Sequence, residues 1–580
     1  MKRNRILYTL LMTGALLVSG CNKVLNLDPL DQLSDASYWK NANDYMLAAN
    51  QYYTYLRTFA DVLYDVSGSN PNYHSDFKAD IAAVQNAYSR GLNTVPTTDN
   101  AYSTAYTRIR IVNYLLTKAA AYSKPDEISK YVGEARFFRA YLYFDLLQTY
   151  GGVPIISKLL DPASPELKAP RNTRDEVADF IIADLNDAIA KLPSKSAQAA
   201  TELGRVNREA AQAFLGRVAL YEGTWQKFRN NAARANALLD IAVSANNAVI
   251  TSNQFSLFAP VALGDSAQKY MFILENQKSN PANIQKSANN EYVLANRYDQ
   301  TLRQTRQNIS HTMGGSDLTQ NFVNLYLCAD GLPIEKSKLF KGYATMTSEF
   351  DNRDNRLRYN MMIAGKYYWK GNANFRIDWT GSPAELANAF QSPFKPYSNG
   401  LSGYHSQKWM AERQVPDYEE GYDYPVIRYA EVLLNYAEAV FERTGSISDA
   451  DLDKSLNLVR KRVNKGMPAL SNALVSTNGL DMQTEIRRER TIELYHEGFR
   501  LDDLKRWHNA VEVLGKPLIG IRWTGTEFQT AWPSQSTVAK DEKGNIVVDA
   551  NRNFSEKNYL LPIPTQQIQL NPALEQNPGW

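Results

Sequence analysis

The chain has 580 residues, 44% of them hydrophobic and 22% charged, so it carries ample material for a folded core and is not a disordered polymer. A net charge of +3 with no basic stripe gives no support to a nucleic-acid partner. Two cysteines, Cys21 and Cys328, are too few for a disulfide framework in this length, and Cys328 is expected to be buried and inert.

The first twenty residues read as an address. Lys2, Arg3 and Arg5 form a positive start, and residues 6–18 form an apolar run too short to span a bilayer comfortably. The run ends at Val18-Ser19-Gly20-Cys21, which resembles a bacterial lipobox. In that reading Cys21 is lipidated and becomes the mature N-terminus, whereas in a plain secretory peptide it is incidental. Several acyl chains on one residue give stable anchoring. No later stretch is apolar enough for a transmembrane helix, so the expectation is a protein hung from a membrane without crossing it.

From about Tyr38 to Ile250 helical periodicity dominates. Ala101 to Ala121 predicts one helix, and Glu134 to Tyr150 predicts a second that is apolar nearly all round and therefore buried. Gly151-Gly152 stops it. Thr173 caps the next helix, to about Leu192; Asn207 caps another, to Tyr221, ended by Gly223; residues 232–250 make one more. Residues 251–420 show little helical pattern, and short runs at Met271–Leu274, Tyr359–Ile363 and Phe375–Trp379 look like strands or loops. A second helical block runs from Tyr424 to Val513, with helices over Val426–Arg443, from Ser448 to about Val463, and over Met482–His496. From Trp523 onward the chain looks extended, with Pro562 and Pro564 breaking any helix.

The helices recur in pairs of about 35 to 40 residues, as in helical repeats. Ala210-x3-Phe214 with Gly216 fits the second helix of a tetratricopeptide repeat, where small residues permit a close crossing. The predicted fold is mostly α: a tetratricopeptide-like helical repeat scaffold with a large irregular insertion and a few short strands. The expected division is a signal peptide at 1–20, an N-terminal repeat region at 21–250, an irregular ligand-binding insertion at 251–420, and a C-terminal region at 421–580 that completes the scaffold.

Several segments together resemble one family. They are Leu25-Asn26-Leu27-Asp28-Pro29 with Ser37-Tyr38-Trp39-Lys40, and Glu134-Ala135-Arg136-Phe137-Phe138-Arg139-Ala140-Tyr141 with Tyr150-Gly151-Gly152-Val153-Pro154. Asp330-Gly331, Asp354-Asn355-Arg356-Leu357, the run from Tyr424 to Leu434, Arg487 to Trp507, and Leu561-Pro562-Ile563-Pro564 follow in the same order. This sequence of motifs is similar to the SusD/RagB family of Bacteroidetes-type bacteria and covers nearly the whole mature chain. The resemblance implies four tetratricopeptide-like pairs and a lipoprotein of the outer membrane, exposed on the cell surface. It implies a SusC-like TonB-dependent barrel transporter as partner and an oligosaccharide or polysaccharide as cargo, or a peptide, as in RagB-like importers. Asn22-Lys23 after Cys21 is not acidic, a departure from the pattern that often marks surface export.

No catalytic site, metal site or cofactor is signalled. The five histidines sit in no His-Glu-x-x-His arrangement, and no Gly-x-Ser-x-Gly elbow or phosphate loop occurs. The Arg and Glu residues of 487–506 read as ion pairs lacing a packed helix. A capture site for sugar needs aromatic platforms beside hydrogen-bonding side chains, held on irregular segments. Three stretches qualify: Asn70–Asp80 with Tyr73, His74 and Asp76, followed by the loop at Asn93; Tyr292–Gly315 with Arg297, Tyr298 and His311; and Lys366–Tyr404 with Trp369 and Trp379.

Overall fold

The computed structural model describes residues 38–59, 74–305, 317–363, 366–370, 373–377, 401–410 and 420–580. The signal segment and Cys21 lie outside these residues. The architecture is mostly helical. After a short entry helix α1 (Ala42–Asn50) come α2 (Asn100–Ala120), α3 (Pro125–Tyr150), α4 (Arg174–Lys191), α5 (Arg208–Lys227) and α6 (Ala232–Thr251). Each of α2 to α6 packs on its predecessor. The second block supplies α7 (Tyr429–Thr444), α8 (Met482–Leu494) and α9 (Arg500–Arg506). Helix α7 returns across the insertion to pack on α6 and α5.

The caps follow the sequence. Thr173 and Glu176 form a capping box at α4, and Asn207 Oδ1 accepts the Ala210 amide at 2.8 Å to start α5. Gly151 closes α3 and Gly445 closes α7, both at positive φ, where a β-carbon would be strained. Helix α3 begins at Pro125, nine residues before the run the sequence marks; its first turn is exposed, but Ile128 and Tyr131 of the next turn are already buried. Its buried Arg139 is satisfied by Asp184 Oδ2 at 2.7 Å and Asn113 Oδ1 at 2.8 Å, which ties α2, α3 and α4 together.

Gly223 does not end α5, which continues to Lys227. It is a packing glycine, since a β-carbon there would lie 3.0 Å from Leu239 on α6. Gly216 does the same work more tightly: a β-carbon would meet the Asn246 side chain at 2.4 Å.

Among the described residues there are three two-stranded antiparallel sheets. Strand β1 (Tyr292–Asn296) pairs with β4 (Tyr424–Arg428), β2 (Lys366–Lys370) with β3 (Ala373–Ile377), and β5 (Leu518–Arg522) with β6 (Asn545–Asp549). The expected helix over 426–443 therefore starts only at Tyr429, because its first residues are used to pair with β1. The helix expected from Ser448 to Val463 is two, Asp449–Asp453 and Leu456–Lys461, broken where Ser455 leaves helical geometry. Met271–Leu274 is the end of a short helix and a turn, and Tyr359–Ile363 ends another helix and makes one isolated bridge. The C-terminal stretch is less extended than expected. It holds β6, short helices, and α10 (Thr565–Leu570), which starts directly after Pro564, a position where proline does not obstruct a helix. Cys328 is fully buried.

Candidate functional site

Backbone bonds join residues at or next to the ends of the three stretches singled out above. Ala83 donates its amide to Asp317 O at 3.0 Å, and Thr319 donates to Ile81 O at 3.1 Å, which joins the residues just after the first stretch to those just after the second. Leu318 donates to Tyr404 O at 3.0 Å and Met362 to His405 O at 2.9 Å, which brings in the third. Asp317 Oδ1 also lies 3.0 Å from His405 Nε2. Thr305 donates to Glu420 O at 2.9 Å. Phe59, the last described residue before the first stretch, packs edge-on to Trp409 at 5.0 Å and to Tyr424 at 5.1 Å, with Tyr298 at 6.1 Å.

Tyr298 keeps part of its surface open, as do Tyr292 and Phe77 of the candidate stretches, whereas Phe59, Trp409 and Tyr424 are buried. The Tyr298 amide donates to Asp423 Oδ1 at 2.8 Å, and its carbonyl accepts from Lys286 Nζ at 2.8 Å, so the backbone beneath the ring is fixed. The Arg303 guanidinium lies over the ring, 4.7 Å from its centre. Burial pushes the phenol up to about 12, so it is a neutral donor at physiological pH. Arg303 is held there by a turn: Asp299 Oδ1 accepts the amides of Thr301 at 2.8 Å and Leu302 at 3.0 Å. The Thr301 hydroxyl, with those two amides, brings the Asp299 carboxyl down to about 2. Arg297 is exposed and donates to Leu203 O at 2.9 Å. The result is a partly exposed tyrosine ring with the Arg303 guanidinium over it and the exposed Arg297 next to it in sequence, groups suited to stacking and hydrogen bonding.

A buried charge network stiffens the floor. Lys408, directly before Trp409, pairs with Glu497 at 2.7 Å, and Arg428 joins Glu497 at 2.7 Å, Glu493 at 2.7 Å and Glu291 at 2.9 Å. Arg462 closes a ring through Glu291 and Glu493. Arg356 extends it to Asp354 at 2.7 Å and Glu489 at 2.5 Å, and Glu489 reaches Arg460 at 3.1 Å. Burial works against the charge on Glu493, but Arg462, Arg428 and Arg356 outweigh it and hold the carboxyl well below the usual range. Burial brings Lys408 down to about 8 despite Glu497. The carboxylates of this network are committed to arginine and lysine, so they serve rigidity rather than proton transfer.

Asp76 belongs to this floor. It is fully buried, and its two oxygens accept the amides of Gly498 and Arg500, each at 3.0 Å. His74 opens the short 3-10 helix His74–Lys78 beside it. Asn93 lies on a loop tethered elsewhere, to Thr565 and Gln566 through the carbonyls of Pro96 and Thr97; these tethers share no residue with those of Tyr298. Trp369 sits in β2, opposite Asn374 of β3. Tyr73, His311 and Trp379 lie outside the described residues. Sequence reading did not find Phe59, Arg303 or Trp409. The Asp299-Gln300-Thr301 turn was the available signal for Arg303; nothing in the periodicity marks Trp409, which sits buried at positive φ.

Among the described residues, no group of three or more His, Cys, Asp or Glu side chains is placed to hold a metal ion, and no helix is long and apolar enough to cross a membrane.

Residues 272–580 match the sequence profile described as SusD family, and residues 30–220 match one described as starch-binding associating with outer membrane. SusD-like protein P38 of Formosa agariphila is 24% identical over 539 residues, 89% of this chain and 93% of its own. A SusD-like protein of Bacteroides ovatus is 22% identical over 82% of this chain and 79% of its own. Among solved structures, a SusD-like carbohydrate binding protein from Bacteroides fragilis superposes with a TM-score of 0.72 at 23% identity, over 93% of this chain and 99% of that one. Surface glycan-binding protein A from Bacteroides fluxus gives 0.57 at 18% identity, over 93% and 99%. At these identities the likeness to solved structures establishes the shared fold.

Proposed function

The chain belongs to the SusD family, and from that premise we propose that it captures a glycan at the outer membrane without cleaving it and passes it to a SusC-like barrel transporter. The observation that supports the reading is the partly exposed ring of Tyr298, with Arg303 over it and its backbone fixed by Asp423 and Lys286, above a floor of buried ion pairs. A sugar offers apolar C–H faces and a rim of hydroxyls, which fit a tyrosine face with guanidinium donors at its edge. The profile matched by residues 30–220, described as starch-binding, supports the ligand class. We assign Arg297, Tyr298 and Arg303 to the described part of the contact surface, with Trp369 of β2 as a further contact. The lipobox-like end of the signal segment supports Cys21 as the site of the lipid.

Two measurements test this. Titration of the mature protein with a panel of polysaccharides should give saturable binding to at least one, weakened by Tyr298→Ala. Affinity capture from outer membranes should bring down a β-barrel partner, and loss of the barrel with intact glycan binding would remove the delivery step alone.

A further inference from the structure

A second concave surface stands at the far end of the β1–β4 ribbon from Tyr298. In that ribbon Asn296 pairs with Tyr424 at one end and Tyr292 with Arg428 at the other. Tyr298 follows the first end, and Tyr429, the first residue of α7, follows the second. The two are separated by roughly 20 Å along the strands. Around Tyr429 lies a pocket of about 670 Å3, within the size range of small-molecule sites, and Phe255, Leu257, Asp453, Leu458 and Lys461 share its lining. One buried carboxylate pins its walls. Glu291 Oε2 accepts the Phe258 amide at 2.8 Å, which holds the 255–259 wall, and the Glu291 carbonyl accepts the Tyr429 amide at 2.8 Å. Glu291 Oε1 and Oε2 also accept from Arg462 Nη1 at 2.9 and 2.8 Å, which fixes the residue after the short helix Leu456–Lys461. Asn457 of that helix donates to Leu470 O at 3.0 Å and accepts the Leu470 amide at 2.8 Å. The pocket is therefore formed before any ligand arrives, and little ordering cost remains.

Its polar groups say what it takes. The Tyr429 hydroxyl is open to solvent, and neither it nor the Lys461 ammonium has a hydrogen-bond or ionic partner among the described residues. Asp453 accepts Asn457 Nδ2 at 2.8 Å through one oxygen and makes no bond through the other. Lys461 and Asp453 cancel in charge, and Arg462 is answered by Glu291 and Glu493, so no surplus charge is present to hold an ion. Leu257 and Leu458 carry open apolar surface beside these groups, Leu458 at 45% exposure. Two free donors and a free acceptor beside apolar surface, without net charge, match a neutral sugar. Each sugar hydroxyl both gives and takes a hydrogen bond, and its C–H faces need apolar cover. Phe255 and Tyr429 are 6% and 8% exposed, so no ring face stands open for stacking as at Tyr298, and the hold on a sugar is weaker.

We propose that this pocket is an auxiliary subsite for a neutral glycan segment, bound by Tyr429, Asp453 and Lys461 against Leu257 and Leu458. The inference rests on the glycan reading given above. It adds a second, weaker point of grip on the same rigid unit, because Glu291 and Arg428 belong both to the pocket's supports and to the ion-pair floor near Tyr298.

Hydrogen exchange of the mature protein tests it, with short oligosaccharides cut from the polysaccharide that the panel titration identifies, at saturating concentration. Exchange in the peptides spanning 255–261 and 453–462 should slow at least twofold, in the parent and equally in Tyr298→Ala. Tyr429→Phe combined with Lys461→Ala breaks no bond within the protein, so its melting temperature should match the parent's. In that variant the slowing at 255–261 and 453–462 should vanish while protection around residue 298 persists. Protection around residue 298 alone overturns the subsite and leaves the proposed function standing. Slowing at the pocket that the double variant does not erase also overturns it, since the sugar then does not touch these groups. Absence of protection at both places removes the subsite and the glycan reading together.

Discussion

Asp76 Oδ2 accepts the amide of Gly498 at 3.0 Å, joining the foot of the first candidate stretch to the loop between α8 and α9, 422 residues further along the chain. Its other oxygen accepts the amide of Arg500, so the carboxylate also stands at the N-terminus of α9. The loop face and the helical scaffold are thus one mechanical unit, and the following outcomes depend on that.

Burial pushes the Asp76 carboxyl up to about 7, although the Gly498 and Arg500 amides pull it down. The folded state then holds this proton more tightly than the unfolded chain does. Stability should fall as pH rises between about 4 and about 7, by up to a few kcal/mol. Asp76→Asn does not titrate and should flatten that slope. Urea unfolding midpoints at pH 4.5 and 7.5 for both proteins check it. Glu349, pushed by burial up to about 7 as well, keeps part of the slope in the variant.

Glu438 behaves in the opposite sense. Burial opposes its charge, but Arg506 and its hydrogen bonds, with Arg490 and Trp507, hold it at about 2. Its contribution is present above about 4.5 and is lost as pH falls toward 2. Glu438→Gln should cost roughly 3–5 kcal/mol at pH 7, since it leaves the buried Arg506 short of its partner, and the difference from the parent should shrink in acid. Denaturant titrations across this range read the effect.

Arg428 is shared by three buried glutamates, so Arg428→Met leaves Glu291, Glu493 and Glu497 under-compensated. A loss of roughly 3–5 kcal/mol is expected. A lowered thermal midpoint, or failure to accumulate soluble protein, checks it.

At the tightest helix crossing, Gly216→Ala would drive a methyl group into Asn246. The expected cost is about 1–3 kcal/mol with the fold retained, measured by thermal unfolding with circular dichroism.

Tyr298→Ala should weaken glycan binding about tenfold, near 1.4 kcal/mol, through loss of the stacking face, with little change in melting temperature. Asn93→Ala, on a loop with separate tethers, should leave binding unchanged. Calorimetric titration with the bound polysaccharide distinguishes the two.

Much of the scaffold was legible because its signals are local. Thr173, Asn207 and Ser448 cap helices where the sequence places them, and the ladder of four- and three-residue steps from Phe137 to Tyr141 and Phe144 marks a buried helix. What failed depends on distant partners. Residues 426–428 read as helix because their pairing partner is β1, more than a hundred residues earlier. Gly223 reads as a stop, since a packing glycine looks the same as a terminating one until Leu239 is placed against it. At the site, Tyr298 was visible as an aromatic in an irregular stretch. Asp76 read as an exposed contact, and its burial follows only from Gly498 and Arg500 closing over it. Phe59 and Trp409 meet across some 350 residues, which no spacing rule reports.

The central claim is retention without chemistry. Native gel retardation in a series of polysaccharides, followed by chromatography of the recovered sugar, tests it most directly. Migration slowed by one glycan class, restored by Tyr298→Ala, with chain length unaltered after prolonged incubation, is the outcome this account requires. Shortened oligosaccharides accumulating with purified protein, or unaltered migration in every glycan tried, would contradict it.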